Sequence, residues 1–218
     1  MHTASRFPES RATRPFSEVS RLHSPPRPGP TYLPRCTGYD IRPTRTARQR
    51  GMASQLVRQM YEWRGYSTEA IECQVDDPNR VTIAAWQDDL MVATLTLGCD
   101  SPSGLMADTL YAQELAGLRH PGRVVCEVTR LAVAPDYSAP GLLTKLFLAA
   151  FDYAKDVFAA SDAVIEVNPR HVRYYQNRMG FQQIGTERLC ERVDAPAVLL
   201  HQTVGNISLV FEPNGATA

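Results

Sequence analysis

No stretch of this sequence approaches the roughly 18 consecutive apolar residues that a membrane-spanning helix needs. The richest segment, Leu142 to Phe151, is interrupted by Thr144 and Lys145. That pattern excludes integral membrane association. Net charge is missing as well, since 23 basic side chains face 23 acidic ones. A chain balanced in this way has no broad field of one sign with which to attract nucleic acid or a lipid surface. Metal-knuckle spacing is absent too: the five cysteines stand at positions 36, 73, 99, 126 and 190, and the nearest two are 26 residues apart. So odd and scattered a set predicts reduced thiols in a cytoplasm. His171 and His201 are too far apart in sequence to share one helical face, and no bound metal is expected.

What the chain does have is 218 residues, 44% of them hydrophobic, enough for one substantial core. Its charge divides unevenly. Residues 1 to 50 hold 10 Arg and 3 acids, a balance of plus 7, which leaves minus 7 on the remainder. Half of the 16 prolines fall in the same first 50 residues, in stretches such as Ser24-Pro25-Pro26-Arg27-Pro28-Gly29-Pro30, without an apolar period. The composition predicts a disordered Arg/Pro-rich tail over residues 1–51. No apolar region follows a basic start, so the tail is not read as a secretory signal. Three readings of it stand side by side: an inert tail, an Arg-rich contact segment, or an upstream extension of a chain whose natural start is Met52. All three put the folded domain at residues 52–212, with a short C-terminal tail at 213–218.

Within that domain Leu56, Val57, Met60, Tyr61 and Trp63 recur at helical spacing, and Gly65 supplies a stop. The polar turn Gln87-Asp88-Asp89 separates two strand-like runs, Val81 to Ala85 and Leu90 to Leu97, which predicts a hairpin. After the loop Asp100-Ser101-Pro102-Ser103-Gly104 comes a short helix through Leu110 to Leu118. Val124 to Val133 is the strongest strand signal. A helix opened by Pro140-Gly141 follows, with Leu142, Leu146, Phe147, Ala150, Phe151 and Ala154 on one face. Ala163 to Val167 reads as a strand, His171 to Arg178 as a helix, and Ala197 to Thr203 with Ile207 to Phe211 as a closing pair of strands. The class is mixed α/β.

The order Leu131-Ala132-Val133-Ala134-Pro135, helix, then Asn168 through Tyr175 to Gly180-Phe181 resembles the GNAT acyltransferase superfamily. The resemblance implies a mixed central sheet flanked by helices. It also implies a strand that splays from its neighbour, whose backbone amides receive the pantetheine arm of an acyl thioester, as an extended ligand adds to unpaired strand groups. Leu131, Val133, Gly141, Asn168 and Tyr174 are the donor-binding positions so implied. Coenzyme-A-using members carry two glycines and a Gln or Arg in the loop that cradles the pyrophosphate at a helix N-terminus. Here the loop reads Tyr137-Ser138-Ala139-Pro140-Gly141-Leu142-Leu143. Only Gly141 remains, Pro140 removes a donor, and no basic residue enters. A donor with pantetheine but no adenosine diphosphate fits this loop better, and acyl carrier protein is the common one. The co-substrate is then acyl-phosphopantetheine on that carrier, with no cofactor bound by the chain itself.

Five blocks in order carry a closer resemblance, across most of residues 52 to 204. They are Gln55-Leu56-Val57-Arg58 with Tyr61 and Arg64-Gly65-Tyr66; Thr94-Leu95-Thr96-Leu97 with Asp100 to Leu105; Glu127-Val128-Thr129-Arg130-Leu131-Ala132-Val133; Val167-Asn168-Pro169-Arg170-His171 to Gly180-Phe181; and Asp194-Ala195-Pro196-Ala197-Val198-Leu199-Leu200. Together they resemble the bacterial long-chain N-acyl amino acid synthases, relatives of the acyl-homoserine-lactone synthases. The reaction implied is attack of an amino acid α-amine on an acyl thioester. Such an amine is mostly protonated near neutrality and needs a proton acceptor.

Glu127, on the strand facing the thioester, is the candidate base, and Thr129 and Leu131 share its side by the period of two. Its structural alternative is a carboxylate bonded to Arg130 or another Arg. On a regular strand Arg130 points to the opposite face. Arg58 and Arg130 are the candidates for the substrate carboxylate, and Thr129, Asp100 and Ser103 for further substrate contacts. The GNAT resemblance implies a tyrosine that protonates the departing thiolate, either Tyr175 or Tyr174, with the other packing. His171 reads as a loop or capping residue.

Lys145, Arg170, Arg173 and Arg178 form an expected basic landing area for the acidic carrier, the alternative being solvated surface charge. Competing functions are an acyl-homoserine-lactone synthase, a GNAT-like module that binds acyl carriers or lipids without chemistry, and an Arg-tailed nucleic-acid binder. The folded part's negative balance opposes the last.

Overall fold

The computed structural model describes residues 38–72, 76–137 and 141–211, the side chains of 208–211 excepted. Along the chain it contains β1 (Asp40–Pro43), α1 (Ala47–Trp63), β2 (Arg80–Gln87), β3 (Leu90–Cys99), α2 (Asp108–Ala116) and β4 (Val125–Val133). Then follow α3 (Leu142–Asp156), β5 (Asp162–Val167), α4 (Val172–Met179), β6 (Gln182–Gln183), β7 (Arg188–Cys190), β8 (Ala195–Thr203) and α5 (Val204–Phe211). The strands form one sheet in the order β1-β2-β3-β4-β5-β8-β6, with β7 pairing β8. Within it β4 and β5 are the parallel pair, joined through α3, and the other pairings are antiparallel. This is the mixed sheet with flanking helices read from the sequence.

The central strands are buried on both faces, so β2 and β3 carry nearly continuous apolar runs rather than an alternation. One face is covered by α3, whose Leu146, Phe147, Ala150 and Ala154 are fully buried at helical spacing and pack with Val128, Ile165 and Leu200 of the sheet. Gly141, at φ 87°, supplies the left-handed residue from which α3 starts. On the other face Leu56 and Val57 of α1 pack with Ala84, Trp86 and Ala132, while Tyr111 and Leu115 of α2 pack with Val125, Val164 and Leu199.

Two expectations are corrected. The ordered domain starts before Met52, because β1 pairs with β2 (Ile41↔Ala85) and α1 begins at Ala47. A capping box defines that start: Thr46 Oγ1 accepts from Gln49 N at 3.2 Å, and Gln49 Oε1 accepts from Thr46 N at 3.3 Å. The expected tail otherwise falls, over residues 1–37, outside the described residues, as does the C-terminal tail. The second correction concerns Ile207 to Phe211, which belongs to α5 and not to a strand. The ladder of β8 ends where β5 begins, at Thr203↔Asp162, so the chain beyond has no strand beside it. Val204 and Ile207, about one helical turn apart, enter the core instead.

A polar hub closes the sheet at that end. Asp162 is fully buried and accepts from Arg123 Nε at 2.6 Å and from Ser161 Oγ at 2.7 Å, and His201 Nε2 lies 2.7 Å away. Burial pushes its carboxyl up, but these partners outweigh that and hold it below the usual carboxylate range. Tyr111 fixes α2 to the sheet, donating from its hydroxyl to Ala197 O at 2.7 Å. Its ring fits because residue 185 is glycine; a Cβ there would meet the ring at 2.6 Å.

Two outcomes are expected. A chain started at Gly38 keeps β1 and the capping box, whereas one started at Met52 loses both. The shorter chain should melt at least about 5 °C below the longer in a thermal scan. Gly185→Ala should cost about 1–3 kcal/mol in denaturant unfolding, because the new Cβ would meet the fully buried Tyr111 ring at 2.6 Å and Leu199 Cβ at 2.8 Å.

Candidate active site

The site is built on an irregularity in β4. Its pairing with β3 runs Cys99↔Cys126 to Thr96↔Thr129 and resumes at Thr94↔Ala132, so Arg130 and Leu131 together oppose one residue of β3. This is a β-bulge, and Arg130 adopts the left-handed conformation at φ 53°. The extra residue reverses the alternation beyond it. Leu131 and Val133 pack toward the α3 side, while Ala132 joins Ala53, Leu56 and Val57 of α1. Leu131 therefore does not share Glu127's side. Arg130 instead turns toward the α1 side, near Tyr61, Glu72 and Arg58. Both assignments from regular alternation are overturned by one inserted residue.

On its opposite edge β4 parts from β5. Their ladder ends at Val128↔Ile165; beyond it Glu166 and Val167 pair only with β8. The gap opens into a cavity of about 390 Å³. Val128 to Val133 form one wall and Ile165 to Asn168 the other. Tyr61 and Tyr66 border it from α1 and the segment after it, Tyr174, Tyr175 and His171 from α4 and its approach, and Arg192 from the β7–β8 turn.

Glu127 lines this cavity while only 1% exposed. Its carboxylate accepts from Met106 N at 2.7 Å through Oε2 and from Ala107 N at 2.9 Å through Oε1. Those amides belong to the turn that leads into α2, Ala107 being the residue just before its first. Burial drives the Glu127 pKa up, the two amides and Arg80 pull it down, and Glu166 raises it, leaving it at about 7. A carboxyl so poised exchanges a proton near neutrality.

Other expected residues divide. Thr129, Arg130, Leu131, Val133, Asn168, Tyr174 and Tyr175 all line the cavity. Asn168 also caps the turn Pro169–His171, accepting from Arg170 N at 3.2 Å. Tyr175 is buried against Phe147 and Phe181, and burial pushes its phenol well above the ordinary tyrosine range, so it stays protonated. Tyr174 packs edge-on against it and is more exposed. Arg130 donates to Glu72 O at 3.3 Å, makes no ion pair among the described residues, and is held below its usual pKa by burial and by Arg80.

Arg58, Asp100 and Ser103 lie outside the cavity. Arg58 is turned to the main chain, donating from Nε to Ile71 O at 2.9 Å. Asp100 accepts from Arg119 at 2.6 Å, and Ser103 bonds to Ser101 at 2.8 Å. Gly141, at the start of α3, is likewise outside the lining. Lys145, Arg173 and Arg178 are exposed, and Arg170 donates to the Tyr66 hydroxyl at 2.6 Å.

The sequence reading missed Glu166 and Arg192. Arg192 donates to both carboxylate oxygens of Glu166 at 2.9 Å and to Met106 O at 2.6 Å. Glu166 had a signal, an acid within the apolar run Ala163 to Val167 of β5. Arg192 sits in a polar turn and had none.

Comparisons with known proteins agree with this geometry. The family model described as N-acyl amino acid synthase FeeM matches residues 52–203. No curated protein matches the sequence. Among solved structures the chain is similar to FeeM, an N-acyl amino acid synthase from uncultured soil microbes, at 25% identity and a TM-score of 0.69, covering 78% of this chain and 94% of that one. An acyl-CoA N-acyltransferase from Pseudomonas aeruginosa shares the fold at 18% identity and a TM-score of 0.55, covering 76% and 100%. NAA60 of Arabidopsis thaliana, in complex with a bisubstrate analogue, does so at 17% and 0.55, covering 76% and 98%. A buried, near-neutral carboxyl at a splayed parallel strand pair, within a match spanning most of the ordered chain, places this protein in the FeeM family of N-acyl amino acid synthases, on a GNAT-like fold.

Proposed function

We propose that the protein transfers a long-chain acyl group from an acyl carrier protein thioester to the α-amine of an amino acid. The observation that carries this reading is Glu127 standing buried at the wall of the cavity opened between β4 and β5. The gap takes the extended pantetheine arm beside β4, and the apolar walls around Leu143, Ile165 and Val167 suit an acyl chain.

The amino acid's ammonium group, approaching from the α1 side, passes one proton to the Glu127 carboxylate directly or through water, which leaves a neutral amine. Its nitrogen then forms a bond to the thioester carbonyl carbon. Collapse of that adduct breaks the carbon–sulfur bond and releases the second proton of the nitrogen to water, while the departing thiolate takes a proton from a phenol that water then restores; Tyr175 is the first candidate because burial keeps it protonated. Arg130, half-buried and without an ion pair among the described residues, suits the substrate carboxylate. The choice of carrier protein over coenzyme A rests on the sequence of the loop before α3, which offers a single glycine and no basic residue for a pyrophosphate. Lys145, Arg170, Arg173 and Arg178 are the proposed landing area, and a cytoplasmic setting follows from such a partner.

The deciding experiment supplies palmitoyl carrier protein or palmitoyl coenzyme A with pooled amino acids and S-adenosylmethionine, and identifies products by mass spectrometry. N-acyl amino acids from the carrier donor support the reading. Acyl-homoserine lactone would assign the rival synthase activity, and preference for coenzyme A would overturn the loop argument. Because Glu127 must be ionised to accept a proton, kcat/KM should fall as pH drops below about 7. Glu127→Gln should lower kcat/KM by at least about 100-fold and remove that limb of the profile. Charge reversal of Arg173 should weaken turnover of the carrier donor far more than that of a minimal pantetheine thioester; equal losses would count against docking there.

A further inference from the structure

The β7–β8 turn sends a charged side chain into the cavity wall for which the reaction outlined above has no task. Arg192 bridges three elements. Its Nη2 lies 2.9 Å from both carboxylate oxygens of Glu166 on β5, and its Nη1 donates to Met106 O at 2.6 Å, just before α2. The carbonyl of Met106 and the N–H of Ala107 belong to one planar peptide group, and that N–H donates to Glu127 Oε1 at 2.9 Å. Arg192 and Glu127 thus engage the opposite ends of the same peptide. A cation on the carbonyl oxygen polarises the group and makes its N–H the stronger donor.

Glu166 completes the arrangement from the neighbouring strand. Glu127 pairs in register with Val164, so Glu166 lies two residues further along β5 on the same face. We propose that Arg192 and Glu166 are a positioning pair for Glu127: Arg192 fixes the Met106–Ala107 peptide that aims the carboxylate, and Glu166 fixes Arg192. The inference rests on Glu127 being the base. Other groups bear on it as well. Arg80 from β2 lowers its pKa, Glu166 raises it, Cys190 beside Glu166 keeps its thiol, and Arg130 and Tyr61 border the same cavity. The Glu127 charge in turn helps hold Arg192 protonated, and the effect is mutual.

The signs are opposite for the two partners, which separates this role from plain bracing. Removing the guanidinium leaves Glu166 unpaired beside Glu127, and both changes make Glu127 harder to ionise. Removing the Glu166 charge does the reverse. The test uses the full chain labelled with carboxyl-¹³C glutamate, the Glu127 resonance being assigned by its loss in Glu127→Gln. In Arg192→Met its titration midpoint should rise by about one pH unit, and in Glu166→Gln it should fall. Arg192→Lys keeps the charge without the two-sided grip; its midpoint should stay near wild type while kcat drops and the donor KM holds.

Should Arg192→Met unfold, the double variant Arg192→Met/Glu166→Gln removes both charges, and there the Ala107 amide proton should move upfield as its peptide loses polarisation. Midpoints that stay put, or that move in the same direction, in folded single variants overturn the proposal, as does an unchanged Ala107 amide in the double variant. If the carboxyl titrations move as expected while the kcat/KM profiles do not follow them, the pair stands and the reading of Glu127 as base falls.

Discussion

A carboxylate in an apolar cavity is costly to ionise, and the amides of Met106 and Ala107 are the counterweight that keeps Glu127 within reach of neutrality. Without them the group would stay protonated at neutrality; with stronger partners it would stay ionised well below it. Most of the unusual features nearby serve to hold those two amides still. Tyr111 pins α2 to β8, Arg119 ties Asp108 of that helix to Asp100 at the end of the hairpin, and Arg192 holds the peptide from the far side. Removal of any of these leaves Glu127 chemically intact and badly supported.

The second constraint is the inserted residue in β4. A regular strand could continue pairing with β5 and would put Arg130 among the apolar residues packed on α3. One bulge changes both outcomes, since it bends the strand and shifts the phase of everything after it. The left-handed backbone of Arg130 carries the strain of that change, as non-glycine residues seldom adopt it. The return is a guanidinium and a carboxyl, three positions apart on a single strand, presented to one cavity.

Much of the scaffold was legible in the sequence because its signals are strong and local. The apolar stripe of α3, the polar turn of the β2–β3 hairpin and the run Val125 to Val133 leave little choice of element. Glu127 was legible too, as the single acid of its strand. The failures share a cause, which is that each depended on a distant neighbour. Ile207 to Phe211 has strand composition, but the chain leaves the sheet where the β5–β8 ladder ends, at Asp162↔Thr203, and turns into α5. Thr46 and Gln49 form a cap hidden in an Arg-rich segment whose composition reads as tail. The face of Leu131 followed from an alternation that the bulge breaks, and Arg192 lies in a turn where polar residues need no explanation. Asp100, Ser103 and Arg58, read as substrate contacts, are occupied with the hairpin end and the main chain.

The polar hub at Asp162 has a mechanical meaning. It joins Arg123 before β4, Ser161 before β5 and His201 on β8, at the end of the sheet where β4 and β5 are still paired. The two strands are tweezer arms closed at the hub and open at the cavity, which begins three residues along β5 or roughly 10 Å away. A small rotation at the closed end is magnified at the open one. The width of the gap between β4 and β5 is therefore tied to an ion cluster that lies outside the cavity lining, at the far end of the same two strands.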